Sequence, residues 1–151
     1  MARIPSKIQR RDTYIERIKP FMRTNAVKVM IGHRRVGKSY ILYQLINLIK
    51  EEEKDANIIY INKEDLEFEF IANYRDLYAY VKERLVDEHR NYIFVDEIQE
   101  ITDFRLAIRS LALDENNDIY ITGSNSDMFS SDLANELGGR YVEFKIFSLS
   151  Y

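Results

Sequence analysis

The run Gly32-His33-Arg34-Arg35-Val36-Gly37-Lys38-Ser39 sets two glycines, a lysine and a hydroxyl at the spacing Gly, four residues, Gly-Lys-Ser. Those residue types suit the wrapping of a polyphosphate. Successive main-chain N–H groups surround phosphate oxygens only where the backbone can turn and approach closely, and Gly32 and Gly37 permit that where a Cβ would clash. The Lys38 ammonium would neutralise the outer phosphates, and the Ser39 hydroxyl can ligate magnesium. The stretch expected to touch nucleotide is therefore Gly32, His33, Arg34, Arg35, Val36, Gly37, Lys38, Ser39 and the adjoining Tyr40.

A second group of chemical interest closes an apolar run. Tyr92-Ile93-Phe94-Val95 reads as a buried strand and ends in Asp96-Glu97. A carboxylate at the end of such a strand, beside a phosphate loop, can hold magnesium, and Asp96 is the residue expected to do so. Glu97, next along the pleat, is expected to face the γ phosphate and to activate a water as general base. Thr122-Gly123-Ser124-Asn125 ends another apolar run with small polar groups. Ser124 and Asn125 can hydrogen-bond an attacking water or the γ phosphate if their strand lies between the other two; the same tetrapeptide also makes a serviceable strand-to-loop turn.

Other arrangements carry less. Asn62-Lys63-Glu64-Asp65 matches the guanine-reading Asn-Lys-x-Asp letter for letter, but it precedes Asp96, and no glycine stands at residue 99, so adenine rather than guanine nucleotide is expected. His33 and His89 are not spaced as a zinc pair or a catalytic dyad, and with no cysteine in the chain, thiol catalysis, zinc thiolates and disulfides are excluded. The 11 tyrosines and 8 phenylalanines fall mostly at core-facing spacings, which favours packing over base stacking.

Elements that could position these groups follow from apolar periodicity. A helix is expected over residues 12–22, ended or kinked near Lys19 by Pro20, then a strand over 27–31 that feeds the glycine loop. Helix 38–50 presents Ile41, Leu42, Leu45, Ile46, Leu48 and Ile49; strand 57–61, helix 74–86, strand 92–95, helix 103–113, strand 119–121 and strand 141–147 follow. Strands alternating with helices imply parallel crossovers, so the expected fold is an α/β three-layer sandwich with about five parallel strands and its ligand at their carboxyl ends. With 151 residues, 46% hydrophobic and 31% charged, one domain is expected, residues 1–25 forming an N-terminal helical segment and 26–147 the nucleotide-binding core. The 22 basic against 25 acidic residues leave a net charge of −3, no overall footprint for nucleic acid, and Lys7, Arg10 and Arg11 read as solvated surface. Apolar runs are strand-length and the N-terminus lacks a signal-peptide core, so a cytoplasmic protein with no membrane association is expected.

Taken in order, Val29 to Ser39, Ile93-Phe-Val-Asp-Glu-Ile-Gln99, Ile121-Thr-Gly-Ser-Asn125 and Leu137-Gly-Gly-Arg140 resemble the prokaryotic AAA-type ATPases, whose N-terminal ATPase domain precedes a separate C-terminal domain. The resemblance implies an additional-strand P-loop fold, with the Ser124–Asn125 strand inserted between the phosphate-loop and Asp96 strands and those two residues acting as sensor. It also implies a role for Arg140 in stabilising γ-phosphate charge, in its own or a neighbouring subunit. The catalytic set it suggests is Glu97, Lys38, Ser124, Asn125 and Arg140, with Ser39 and Asp96 on Mg2+ and ATP as the nucleotide. Family members continue where this chain reads Ser148-Leu-Ser-Tyr151, so a C-terminal domain or another protein is the expected partner, with a homo-oligomer as a further option. The expected activity is ATP hydrolysis driving conformational change; the alternatives are a non-hydrolysing regulatory module and a phosphotransferase.

Overall fold

The computed structural model describes residues 13–33, 37–124 and 131–147. Its centre is a five-stranded parallel sheet of β1 (Val27–Ile31), β2 (Asn57–Asn62), β3 (Asn91–Asp96), β4 (Asn117–Gly123) and β5 (Tyr141–Lys145), in the order β2-β3-β4-β1-β5. Every residue of β1, β3 and β4 is buried, as parallel strands covered on both faces require, whereas the edge strands β2 and β5 are only partly covered.

Helices lie on both faces. The helical residues 13–18 (α1) and α2 (Lys38–Glu52) cover one, packing Ile15, Ile18, Leu42, Leu45 and Ile49 against Met30, Phe94, Tyr120 and Phe144. The other carries α3 (Tyr74–Arg84), α4 (Phe104–Leu111) and α5 (Ser131–Leu137), whose Leu77, Val81, Ile108 and Leu133 meet Val29, Ile61, Ile93 and Ile121. Right-handed crossovers explain the division. From β1 the chain moves three positions to β2 and then returns, so α2 falls on the opposite face from the helices of the return path. The connections leaving β1 and β4 therefore diverge, and a crevice opens between the carboxyl ends of these neighbours.

Element by element the expected α/β sandwich is present, with shifted boundaries. As expected, Pro20 closes α1, here through a 3-10 turn at Lys19–Phe21. Helix α3 stops at Arg84 rather than residue 86, because Leu85 is extended. Strand β4 is longer than the expected 119–121, since polar Asn117 and Asp118 are buried within it. Strand β5 is shorter than the expected 141–147, although Ile146 stays buried and donates its N–H to Ile31 O at 2.7 Å. Short helix α5 was not expected.

Candidate functional site

Strand β1 delivers the glycine loop to the crevice. Gly32 donates its N–H to Gly123 O at 3.1 Å, pinning the loop to the end of β4. Gly37 takes φ +93°, a left-handed conformation that side chains resist, and caps the start of α2. Lys38 and Ser39, the first residues of α2, thus stand at its positive end. Lys38 is buried; its ammonium donates to Gly32 O and lies 2.9 Å from Glu97 Oε2.

Asp96 ends β3 in register with Asn62 of β2. Its carboxylate accepts from Ser39 Oγ on one oxygen and from Thr122 Oγ1, at 2.6 Å, on the other. Thr122 also accepts the Glu97 N–H at 2.9 Å, so one buried hydroxyl joins the ends of β3 and β4. Glu97 lies past the strand end with φ +57° and ψ +53°, so a left-handed backbone, rather than the pleat alternation expected from sequence, aims its side chain. Its Oε1 accepts from Gln99 Nε2 at 2.6 Å and from Ser124 Oγ at 3.1 Å. Burial works against the Glu97 carboxylate, but hydrogen bonds from Gln99 and Lys38, the Lys38 charge and the Ser124 hydroxyl hold it below the ordinary carboxylate range.

The structure brings together Gly32, Gly37, Lys38, Ser39, Asp96, Glu97 and Ser124. His33 is exposed at the loop, and Tyr40 points outward with 41% of its surface accessible. Arg34, Arg35, Val36 and Asn125 lie outside the described residues. Arg140 lies apart from this group. It is exposed at the amino end of β5, where its carbonyl accepts the Val27 N–H at 3.0 Å. The full length of β1, roughly 16 Å at the usual rise, separates that position from Gly32. The guanine-like motif is spent locally. Asn62 Oδ1 accepts the Glu64 N–H, Lys63 donates to Phe68 O and Ile71 O, and Asp65 caps a short turn. Strand β2 also stands three positions from β1, about 14 Å away.

Sequence reasoning assigned no separate part to Thr122 or Gln99. Both lie inside the motifs, and the available signal is a polar side chain directly after an apolar residue, Thr122 after Ile121 and Gln99 after Ile98. A second polar cluster at the amino ends of the strands was missed altogether. Lys28 and Asp118, both fully buried, pair there, and Asp118 also accepts Tyr120 OH at 2.6 Å and the Arg23 N–H at 3.0 Å. Tyr92 OH continues the chain to Glu53 at 2.8 Å and accepts from Arg23 Nε at 3.1 Å. The available signal was a lysine interrupting the apolar run of β1.

A crevice at the carboxyl end of a 5-1-4-3-2 parallel sheet, with a glycine loop, a lysine at a helix start and a facing acidic pair, defines a P-loop ATPase-like nucleotide-binding domain. The family described as AAA domain matches residues 24–151, and the chain belongs to that family. An uncharacterised Haemophilus influenzae protein is 34% identical over 143 residues, 93% of this chain and 36% of that protein. An uncharacterised protein of Methanocaldococcus jannaschii is 36% identical over 146 residues, 97% of this chain and 31% of that protein. The chain thus spans about a third of the length of these two relatives. Among solved structures, Drosophila ORC bound to DNA matches with TM-score 0.62 and 8% identity, over 96% of this chain and 94% of that one. PCH-2 of C. elegans matches with TM-score 0.63 and 12% identity, over 93% and 40%. At such identities the two structures speak for the fold alone. Among the described residues no helix is long and apolar enough to cross a membrane.

Proposed function

We propose that this domain binds ATP with magnesium in the β1–β4 crevice and hydrolyses it, driving conformational change in an attached domain or partner. The observation that carries the reading is the meeting of Lys38 and Ser39, from the start of α2, with Glu97 and Asp96, from the end of β3. In this reading the amides from Gly32 to Ser39 surround the phosphates, Lys38 turns from Glu97 to the β and γ phosphates, and Glu97 Oε2 takes the proton of the attacking water. Ser124, with Asn125, contacts the γ-phosphate end.

The donor set suits magnesium. Ser39 Oγ and Asp96 Oδ2 are adjacent hard oxygens, and this ion needs only one or two protein ligands beside phosphates and water. When bound, it would neutralise charge on the phosphate oxygens. Ser39 and Asp96 would hold it directly or through water, while Thr122 fixes the second Asp96 oxygen.

Calorimetric titration of ATP and GTP with magnesium, on the native chain and on Lys38→Ala, tests the site. ATP binding lost in the variant is expected; equal binding by both proteins sinks the assignment. Glu97→Gln tests the chemistry, since retained binding with lost turnover is required. Unchanged turnover would favour a non-hydrolysing regulatory module, and ADP formation that depends on an added acceptor would favour a phosphotransferase.

A further inference from the structure

We infer that Gln99 is a positioning residue: its side-chain amide clamps Oε1 of Glu97 to the end of β4, so that Oε2 alone is left to act as base. This deepens, and rests on, the hydrolytic reading above. The geometry is a closed ring of three side chains. Gln99 Nε2 donates to Glu97 Oε1 at 2.6 Å and to Ser124 Oγ at 3.0 Å, Ser124 Oγ donates to the same Glu97 oxygen at 3.1 Å, and Gln99 Oε1 accepts the Ser124 N–H at 3.4 Å.

Only a primary amide fills this position. Its two N–H donors and one carbonyl acceptor match a carboxylate oxygen, a hydroxyl and a main-chain N–H. A glutamate here would offer no donor and would set a second negative charge beside Glu97; an alanine would leave Ser124 to hold the carboxylate alone. The support is rigid as well. Gln99 sits in the 3-10 turn Ile98–Glu100, with Ile98 and Ile101 fully buried on either side, and the turn is closed by Glu100 N–H to Glu97 O at 3.2 Å and Ile101 N–H to Ile98 O at 2.9 Å.

The two carboxylate oxygens of Glu97 therefore have different partners and different fates. Oε2 faces Lys38, the group that must turn to an arriving phosphate, while Oε1 faces Ser124 and Gln99, of which Gln99 makes no contact with phosphate and need not move. When Lys38 leaves, the clamp keeps the carboxylate from rotating, and the released oxygen points into the space Lys38 vacated. Because Ser124 belongs to the same ring, a shift of the β4 end at the phosphate side is felt directly by Glu97.

The test compares Gln99→Ala, Gln99→Glu, Ser124→Ala, the Gln99→Ala/Ser124→Ala pair and Glu97→Gln in the full chain. Three readouts are taken: kcat for ATP hydrolysis with magnesium, ATP Kd by calorimetry, and the NMR signals of the Gln99 side-chain amide without nucleotide. Gln99→Ala is expected to lower kcat roughly 10- to 100-fold, the scale of misplacing a reacting group, while Kd stays within about twofold. Gln99→Glu should lose at least as much. The double variant should fall well short of the product of the two single losses, since both side chains hold one oxygen. Both N–H signals of the native amide should be shifted from those of a solvent-exposed glutamine and should move on Ser124→Ala. A kcat within about twofold of native in Gln99→Ala, a kcat loss matched by an equal loss of ATP affinity, multiplicative losses in the double variant, or a solvent-averaged Gln99 amide would each overturn the clamp. If Glu97→Gln turns over like the native chain, the hydrolytic reading fails instead, and the shifted amide signals identify that as the failure.

Discussion

Lys38 Nζ and Glu97 Oε2 lie 2.9 Å apart, and both side chains are almost wholly buried. Each compensates the other's charge. In the proposed reading a phosphate must break this ion pair, and Glu97 is held by the residue whose departure frees it.

Removing one member should expose that compensation. Lys38→Ala leaves Glu97 buried with Gln99 and Ser124 but with no cation among the described residues, and is expected to lower unfolding free energy by about 3 kcal/mol, the low end for breaking a buried pair. Adding Glu97→Gln to Lys38→Ala should recover part of that loss. Urea unfolding of the three variants measures it, and a double variant no more stable than Lys38→Ala would refute the compensation.

Thr122 bridges Asp96 and the Glu97 N–H through one hydroxyl. Thr122→Val keeps the shape and removes both bonds, so a loss of about 2 kcal/mol in stability is expected from the unsatisfied buried groups, together with weaker magnesium-dependent nucleotide binding. Thr122→Ser should restore most of both. A valine variant as stable as the native chain, or a serine variant no better than the valine one, would refute the role of the hydroxyl.

At the other end of the sheet, Lys28→Met strips the fully buried Asp118 of its cation. Burial already pulls the Lys28 ammonium below the ordinary lysine value, against the opposing pull of Asp118, so the pair is held at the cost of desolvation. The variant is expected to lose about 3 kcal/mol, while ATP affinity of the folded protein stays within about twofold, because the cluster is a strand length from the phosphate loop. A large change in affinity at unchanged stability would contradict this separation.

Alkaline pH should unfold the domain through its buried phenols. Burial and the hydrogen bond to Glu53, opposed by Arg23, push Tyr92 from 10.0 up to about 12, and burial with Asp118 pushes Tyr120 higher still. These phenols keep their protons in the folded chain after an unfolded chain would release them. The stabilisation is therefore complete below pH 10 and is lost between pH 10 and about 12 as far as Tyr92 is concerned. Thermal midpoints are expected to fall across that window, and Tyr92→Phe should make the fall shallower. An unchanged slope would disprove the linkage.

The phosphate loop was legible because its chemistry is local: a few consecutive residues, a preceding apolar run and a following helical period. The parallel sheet was legible for the same reason. Side-chain partnerships were less so, since Thr122 with Asp96, or Ser124 with Gln99, depends on β4 lying beside β3, and periodicity does not set strand order. The family resemblance implies that order, with β4 between β1 and β3; it also points to Arg140, which the parallel pairing of β5 with β1 sets at the amino end of the sheet. Lys28 and Asp118 are the reverse case. Each reads as a flaw in an apolar run until the two strands are laid together.

The packing of α1 bears on where a fragment of this protein can be cut. The family match begins at residue 24, yet Tyr14, Ile15, Ile18 and Met22 belong to the same buried cluster as Met30, Leu45 and Phe144. Trimming to the family boundary would strip the floor from one side of the sheet and wet an oily surface meant to stay dry, and the shortened protein should clump at concentrations the longer one tolerates.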